Sequence, residues 1–324
     1  MLGRVILSLV MFWSPVAMAA QVVDATGCAV LISDHIARVV PAGPPAAVLL
    51  EAVAPDLMLG WPGPVSNTAR AILAPDAAKL PQIPRLTGRD DVAEQIAALK
   101  PDLIIDYGTV SPRYVELAQA TQQRTGIPTV LLNGSLTKIP DVLRMLGGIL
   151  HREDRAETLA RFAEAVLALP APNTHPRVLY ARGSDGLMVA APNTDVTEVF
   201  SRLGWQVVAP AGQGTFRSAN IDAIRELDPD ILIFSDPAMG EIIRHSDAWR
   251  TLRAVRAGHS LVAPSLPFGW MDEPPSINRL IGLAWLEGRD PLTLVALSNA
   301  VVYGHALTPT ELAGVLAGVQ PIQP

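Results

Sequence analysis

One cysteine, Cys28, stands in the whole chain, so no internal disulfide can form. Ala25-Thr26-Gly27 precede it like a lipidation box, but Asp24 interrupts the apolar run and Ala25 stands where Leu is usual. A buried structural cysteine is the expectation. The six histidines, His35, His151, His175, His245, His259 and His305, lack His-x-His or His-x-x-x-His spacing and offer no direct transition-metal site. Phosphate-loop, zinc-protease and Gly-x-Ser-x-Gly motifs are missing. Ser135-Leu136-Thr137-Lys138 fits Ser-x-x-Lys, yet neither Ser-Asp-Asn nor Lys-Thr-Gly follows. No catalytic residue, metal ligand or cofactor is therefore assigned. Basic clusters are lacking too and the net charge is −6, so nucleic acid and anionic lipid are not expected partners.

The composition is that of a folded chain, 49% hydrophobic and 17% charged. Its 324 residues exceed the usual span of one domain and predict two cores. Residues 1–20 separate from the rest: Arg4 gives a positive start, 5–13 are apolar, and Ala17-Met18-Ala19 suits signal peptidase. The stretch is too short and wrongly flanked for a stable membrane span. Cleavage removes one positive charge and no negative one, so the net charge moves from −6 to −7.

A short pattern occurs twice. Arg89 precedes Glu94 by five residues and Lys100-Pro101-Asp102-Leu103-Ile104-Ile105 follows; 128 positions on, Arg217 precedes Asp222 and Asp228-Pro229-Asp230-Ile231-Leu232-Ile233 follows. Each copy reads as a loop, a helix, a proline turn and a buried strand. Around the first, 28–40 reads as a hairpin-like opening and 46–54 as a helix. A strand at 57–59 ends at Gly60-Trp61, then come a helix at 91–99, a strand at 103–105, a helix at 113–124 and a strand at 129–132. Unalternating strands separated by helices describe a parallel sheet. The amphipathic helix at 154–169, with Leu159, Phe162, Ala163, Val166 and Leu167 on one face, lies between the copies and serves as connector. Beyond it come strands at 178–181, 207–208 and 231–234, and helices at 196–203, 241–255, 277–286, 292–301 and 309–316. The expected architecture is α/β: two lobes, 21–140 and 171–324, with mostly parallel sheets, joined by a single long helix in 141–170.

Glu94-Gln95-Ile96-Ala97-Ala98-Leu99-Lys100-Pro101-Asp102 and the strand after it resemble the E-x-I-x-x-L-K-P-D-L signature of the periplasmic binding proteins that serve ABC importers of ferric siderophores, haem and vitamin B12. The repeat, the export signal and the order of elements extend the resemblance over the mature chain. It implies a monomeric periplasmic solute receptor, with Glu94 and Asp222 pairing with arginines of the ABC permease. That family usually has Glu at both positions, so Asp222 departs from it and reaches one methylene less far. The alternative is helix capping: Asp91-Val92-Ala93-Glu94 has capping-box spacing, and an acid in a first helical turn is favoured by the dipole.

Ligands of open α/β sheets collect beyond the carboxyl ends of the strands. The loops there carry Trp61, Tyr107, Arg182, Phe268 and Trp270, and the loops entering the repeat helices add Arg89 and Arg217. Aromatic faces with Arg forks suit a bulky anionic metal chelate, a ferric siderophore, haem or corrinoid, better than a bare cation. Against this, Trp61 and Trp270 are readable as lid-packing aromatics, Tyr107 as core, and Arg89 and Arg217 as partners of Asp90 or Asp222. In 264–286, Pro274-Pro275 fixes a loop and Ser276 stands where a helix cap belongs. This stretch resembles a subgroup that includes molybdate and tungstate binders, which keeps an oxyanion as the second ligand class. An exported chelatase-like enzyme is the third reading and needs a convergent acid/base or metal site.

Overall fold

The computed structural model describes residues 19–317. The expected signal at 1–20 lies outside the described residues apart from Ala19 and Ala20, which open the first strand. Strands β1 (Ala19–Val23) and β2 (Ala29–Ser33) form an antiparallel hairpin. The hairpin expected at 28–40 is thus displaced: β2 turns back on the residues before it, with Val30 and Ile32 facing inward and Leu31 out. Cys28, at the end of the tight turn, is exposed, which corrects the expectation of a buried thiol. The turn is held by Asp24, whose carboxylate accepts from the Thr26 and Leu131 N–H groups.

Strands β3 (Val39–Pro41), β4 (Leu103–Gly108) and β5 (Thr129–Asn133) make a parallel sheet in that order. The second sheet contains β6 (Arg177–Arg182), β7 (Met188–Ala190), β8 (Gln206–Val207), β9 (Phe216–Ser218), β10 (Ile231–Phe234) and β11 (Ser260–Val262). Here β8, β10 and β11 run parallel to β6, while β6 with β7 and β7 with β9 pair antiparallel. The chain is α/β with two mostly parallel sheets, as its βα rhythm predicts. Among the described residues no helix is long and apolar enough to cross a membrane.

The repeat folds alike in both sheets. Lys100 and Asp228, each just before the proline, take left-handed φ values of 49° and 40°. After the proline, the Asp102 carboxylate accepts from the Ala37 and Arg38 N–H groups at 2.8 and 2.9 Å, and that of Asp230 from Arg177 N–H at 2.8 Å. Arg38 and Arg177 in turn cap the ends of the repeat helices, donating to the Leu99 and Leu227 carbonyls. The Pro-Asp pair therefore ties a helix end to the start of the neighbouring strand.

The helix expected as connector spans Glu153–Leu167, about 22 Å long at about 1.5 Å per residue. It is not alone: Ile139–Leu150 packs against it, and the two approach so closely that a Cβ on Gly147 would stand 2.3 Å from that of Ala156. One apolar core runs from Ile105 and Leu132 through Leu159 and Ala163 to Tyr180 and Leu280, so the two sheets share an interior where separate cores are expected. The far face of β6 and β10 has a core of its own around Phe234 and Trp249.

Three further expectations change. The strand at 57–59 reduces to a turn, Pro55–Leu57, and one bridge from Met58 to Val39. The helix at 241–255 is broken into Met239–His245, Asp247–Arg250 and Arg253–Arg256, because Ser246 and Leu252 are extended and swing Trp249 and Leu252 into the core. Finally, Pro291–Val301 reaches back to the first half, where Asn299 donates to the Ile72 carbonyl and Arg155 to that of Val302.

Candidate ligand-binding site

A cavity of about 480 Å³ lies where the carboxyl ends of β3 and β4 face the end of β6. The first sheet contributes Gly43-Pro44-Pro45 and Asp106 to Thr109; the second half contributes Arg182, Asp195 and Asp272 to Pro275. Parallel strands bring their carboxyl ends to one edge, which is why these distant segments meet. Thr109 Oγ1 donates to Asp195 Oδ2 at 2.9 Å and links the two sides directly.

Arg182 is held tightly. Its guanidinium pairs with Asp272, lies 3.5 Å from Glu273 Oε1 and sits 4.3 Å over the Phe216 ring. Asp272, only 1% exposed, also accepts from the Tyr180 hydroxyl. Burial pushes its carboxyl up to about 6, against the pull of Arg182 and Tyr180, with Glu273 adding to the rise. A carboxyl that holds its proton more tightly folded than unfolded, where its pKa is about 3.9, adds stability below about pH 4. That increment is lost as pH rises through about 6. Relative to Asp272→Asn, the wild type is expected to lose on the order of 2 kcal/mol between about pH 4 and pH 7 in urea unfolding. A difference that stays flat would show that Arg182 keeps the carboxylate charged throughout.

Opposite, Arg85 is exposed and, among the described residues, has no carboxylate within ion-pair distance. Leu86 N–H donates to the Ala42 carbonyl, which sets Arg85 beside the end of β3. Burial raises the Asp106 carboxyl, partly offset by the Tyr107 N–H it accepts and by Arg85. Tyr114 stands on the helix Pro112–Thr125 at the rim, 38% exposed. Behind the cavity, fully buried Arg279 donates to Glu198 Oε2 at 2.9 Å, to the Asp195 carbonyl at 2.8 Å and to the Gly134 carbonyl.

Of the residues expected at the site, Tyr107 and Arg182 line this cavity. Trp61 and Phe268 line a second one of about 250 Å³ that shares Pro44, Glu273 and Pro274 with the first. Trp270 is 1% exposed and packs edge-on against Trp285. Arg89 is exposed and paired with Asp91, and Arg217 lies in β9 with its guanidinium on the Pro210 carbonyl; neither lines a cavity described above. Glu94 is exposed, without an ion pair among the described residues, while exposed Asp222 pairs with Arg225. The capping box at Asp91 is not formed, since the helix Asp90–Ala98 starts one residue earlier and has no side-chain cap. Ser276 caps no helix either; its hydroxyl donates to the Pro45 carbonyl.

Arg85, Tyr114, Asp195, Asp272 and Glu273 join the site from outside the expected set. The wall carries two arginines against four carboxylates, Asp106, Asp195, Asp272 and Glu273, so it is not the positively charged cleft anticipated. Among the described residues, no group of three or more His, Cys, Asp or Glu could hold a metal ion.

The family model for periplasmic binding proteins matches residues 63–266. The fold is similar to that of an ABC transporter solute binding protein from Sulfurospirillum deleyianum, with a TM-score of 0.81 at 23% identity over 92% of this chain and 99% of that one. The molybdate periplasmic binding protein of Haemophilus influenzae, bound to molybdate, gives 0.68 at 16% identity, over 90% and 99%. The vitamin B12 binding protein of Vibrio cholerae gives 0.58 at 19%, over 76% and 94%. A search of curated proteins found no match.

Proposed function

Because the chain belongs to the periplasmic binding protein family, we propose that it is the solute receptor of an ABC importer and holds a metal chelate in the cavity between the two sheets. The carrying observation is that cavity: its size is in the range of pockets that take compact organic ligands, and its walls offer the exposed ring of Tyr114, four prolines and one unpaired arginine. Tyr114 supplies contact area, Tyr107 backs the cavity from the core, and Arg85 supplies the free donor fork. Binding is non-covalent and no chemistry is done on the solute. In this reading residues 1–20 are removed on export, 21–140 and 171–324 act as lobes joined through 141–170, and the receptor works as a monomer.

The likeness to a molybdate-bound protein favours an oxyanion as the second reading. An oxyanion seeks converging N–H donors, and the helix Pro44–Val53 points its start at the cavity. Its first two residues are prolines and have no N–H to give, which weighs towards the chelate. Native mass spectrometry with metal analysis, on protein purified from its own periplasm, decides: iron or cobalt with an organic ligand is expected. Molybdenum or tungsten alone would sink the chelate.

Exposed and unpaired, Glu94 is the acid we assign to permease docking, with Asp222 as its counterpart in the second half. Glu94→Arg is expected to abolish uptake of the solute in cells while leaving affinity in solution as it was. Uptake at the wild-type rate would remove Glu94 from this role.

A further inference from the structure

We propose that the site is bipartite: beside the polar cavity, the chamber walled by Trp61 and Phe268 takes an apolar, aryl-sized arm of the solute, which makes the ligand an amphiphilic chelate. This rests on the reading of the polar cavity as the solute site. Pro44, Glu273 and Pro274 belong to the walls of both spaces, so one molecule can lie across them.

Apart from the Ser265 hydroxyl, the chamber's side chains ask for little polar partnership. Val48, Trp61, Val65, Ala69 and Phe268 form much of its wall, and Glu273 is its one charged member. That carboxylate is already engaged, accepting from Ser235 Oγ at 3.2 Å and lying 3.5 Å from Arg182 Nε. The Trp61 indole N–H donates to the Ala77 carbonyl at 2.9 Å and Ser66 Oγ accepts from Ala69 N–H at 3.1 Å. What remains available is the part of each ring that Trp61 and Phe268, 3% and 9% exposed, turn to the chamber. Trp61 and Phe268 lie 5.5 Å apart at 40°, and Phe268 is braced by Tyr303 at 5.9 Å, so the wall is set before the solute arrives.

Size points the same way. An apolar cavity of about 150 Å³ holds a benzene ring; about 250 Å³ holds a phenyl group with its linker. The metal-bearing centre of a chelate does not belong there, because its polar shell would find little beyond the Ser265 hydroxyl to bond and burying unpaired polar groups is unfavourable. The centre therefore stays with Arg85, Asp106 and Tyr114, and the arm passes over Pro44 and Pro274.

The test compares two ferric complexes, of acetohydroxamate and of benzohydroxamate, which give iron the same oxygen donors and differ in methyl against phenyl. Affinities are measured by calorimetry on the full chain. Wild type is expected to bind the phenyl complex about tenfold more tightly. Ala69→Leu, which fills the chamber from the helix Asn67–Arg70, is expected to bring that ratio to about twofold or less. Val48→Phe fills it from the other side and serves if the first variant does not melt cooperatively. A chelate-free probe, 4-fluorotoluene followed by fluorine NMR, is expected to broaden with wild type and stay sharp with the filled variant. Equal affinities for the two complexes, or a ratio unmoved by filling, would overturn the proposal. So would a probe that stays sharp with wild type. If neither complex binds but the probe does, the apolar chamber stands and the chelate reading falls.

Discussion

Arg279→Met lowers stability by about 3–5 kcal/mol, read from urea unfolding, although the residue lies behind the cavity and touches no solvent. Its guanidinium is the meeting point of three segments: the loop after β5 through the Gly134 carbonyl, the turn at Asp195 and Glu198, and the loop at Ser276. Glu198 Oε2 is shared with Leu136 N–H at 2.7 Å, so the same carboxylate binds both halves. Removing the cation leaves the Gly134 and Asp195 carbonyls without their donor and the Glu198 carboxylate without its counter-charge, and unmet buried acceptors are costly. Arg279→Lys keeps the charge but loses the fork, and is expected to fall between. A loss below about 1 kcal/mol for Arg279→Met would show that the segments are held without it.

Trp270→Ala is expected to cost a similar amount, about 3–5 kcal/mol, through the void it leaves. The indole is 1% exposed, stands edge-on to Trp285 at 6.3 Å, and gives its N–H to the Leu266 carbonyl at 3.2 Å. The helix Arg279–Leu286 comes so near that a Cβ on Gly282 would lie 2.2 Å from the Trp270 carbonyl oxygen, so glycine is required there and the surroundings cannot collapse into the void. A tryptophan that served the solute would behave otherwise: affinity would collapse while the unfolding midpoint stayed put. That pattern would return Trp270 to the binding surface.

What was legible in the residues was what is local. The Pro-Asp pairs, the unalternating strands and the face of Leu159, Ala163 and Val166 announce themselves within a dozen positions, and the elements they mark are found. The site is assembled from afar. Arg85 and Asp272 face one cavity from opposite sides with no shared motif, and Asp272-Glu273 reads as part of a proline turn until Tyr180 and Arg182 are seen beside it. Trp61 and Trp270 both sit next to glycine or proline, yet one lines a cavity and the other is sealed by a helix that packs on its backbone. The positively charged cleft expected from the loops is not found for the same reason: their arginines are visible singly, whereas the carboxylates that answer them arrive from other segments. Arg217 is carried off by β9, a three-residue strand too short for any periodicity to signal.

The common interior of the two sheets has a mechanical consequence. Prising them apart would wet Leu159, Ala163, Tyr180 and Leu280 together, at roughly 25 cal/mol for each Å² uncovered. The molecule is therefore a stiff clasp, not a book on a spine. Whatever it grips is admitted by shifting the rim, at Tyr114, Arg85 and the Thr109–Asp195 bond, and any wide opening has to be forced from outside.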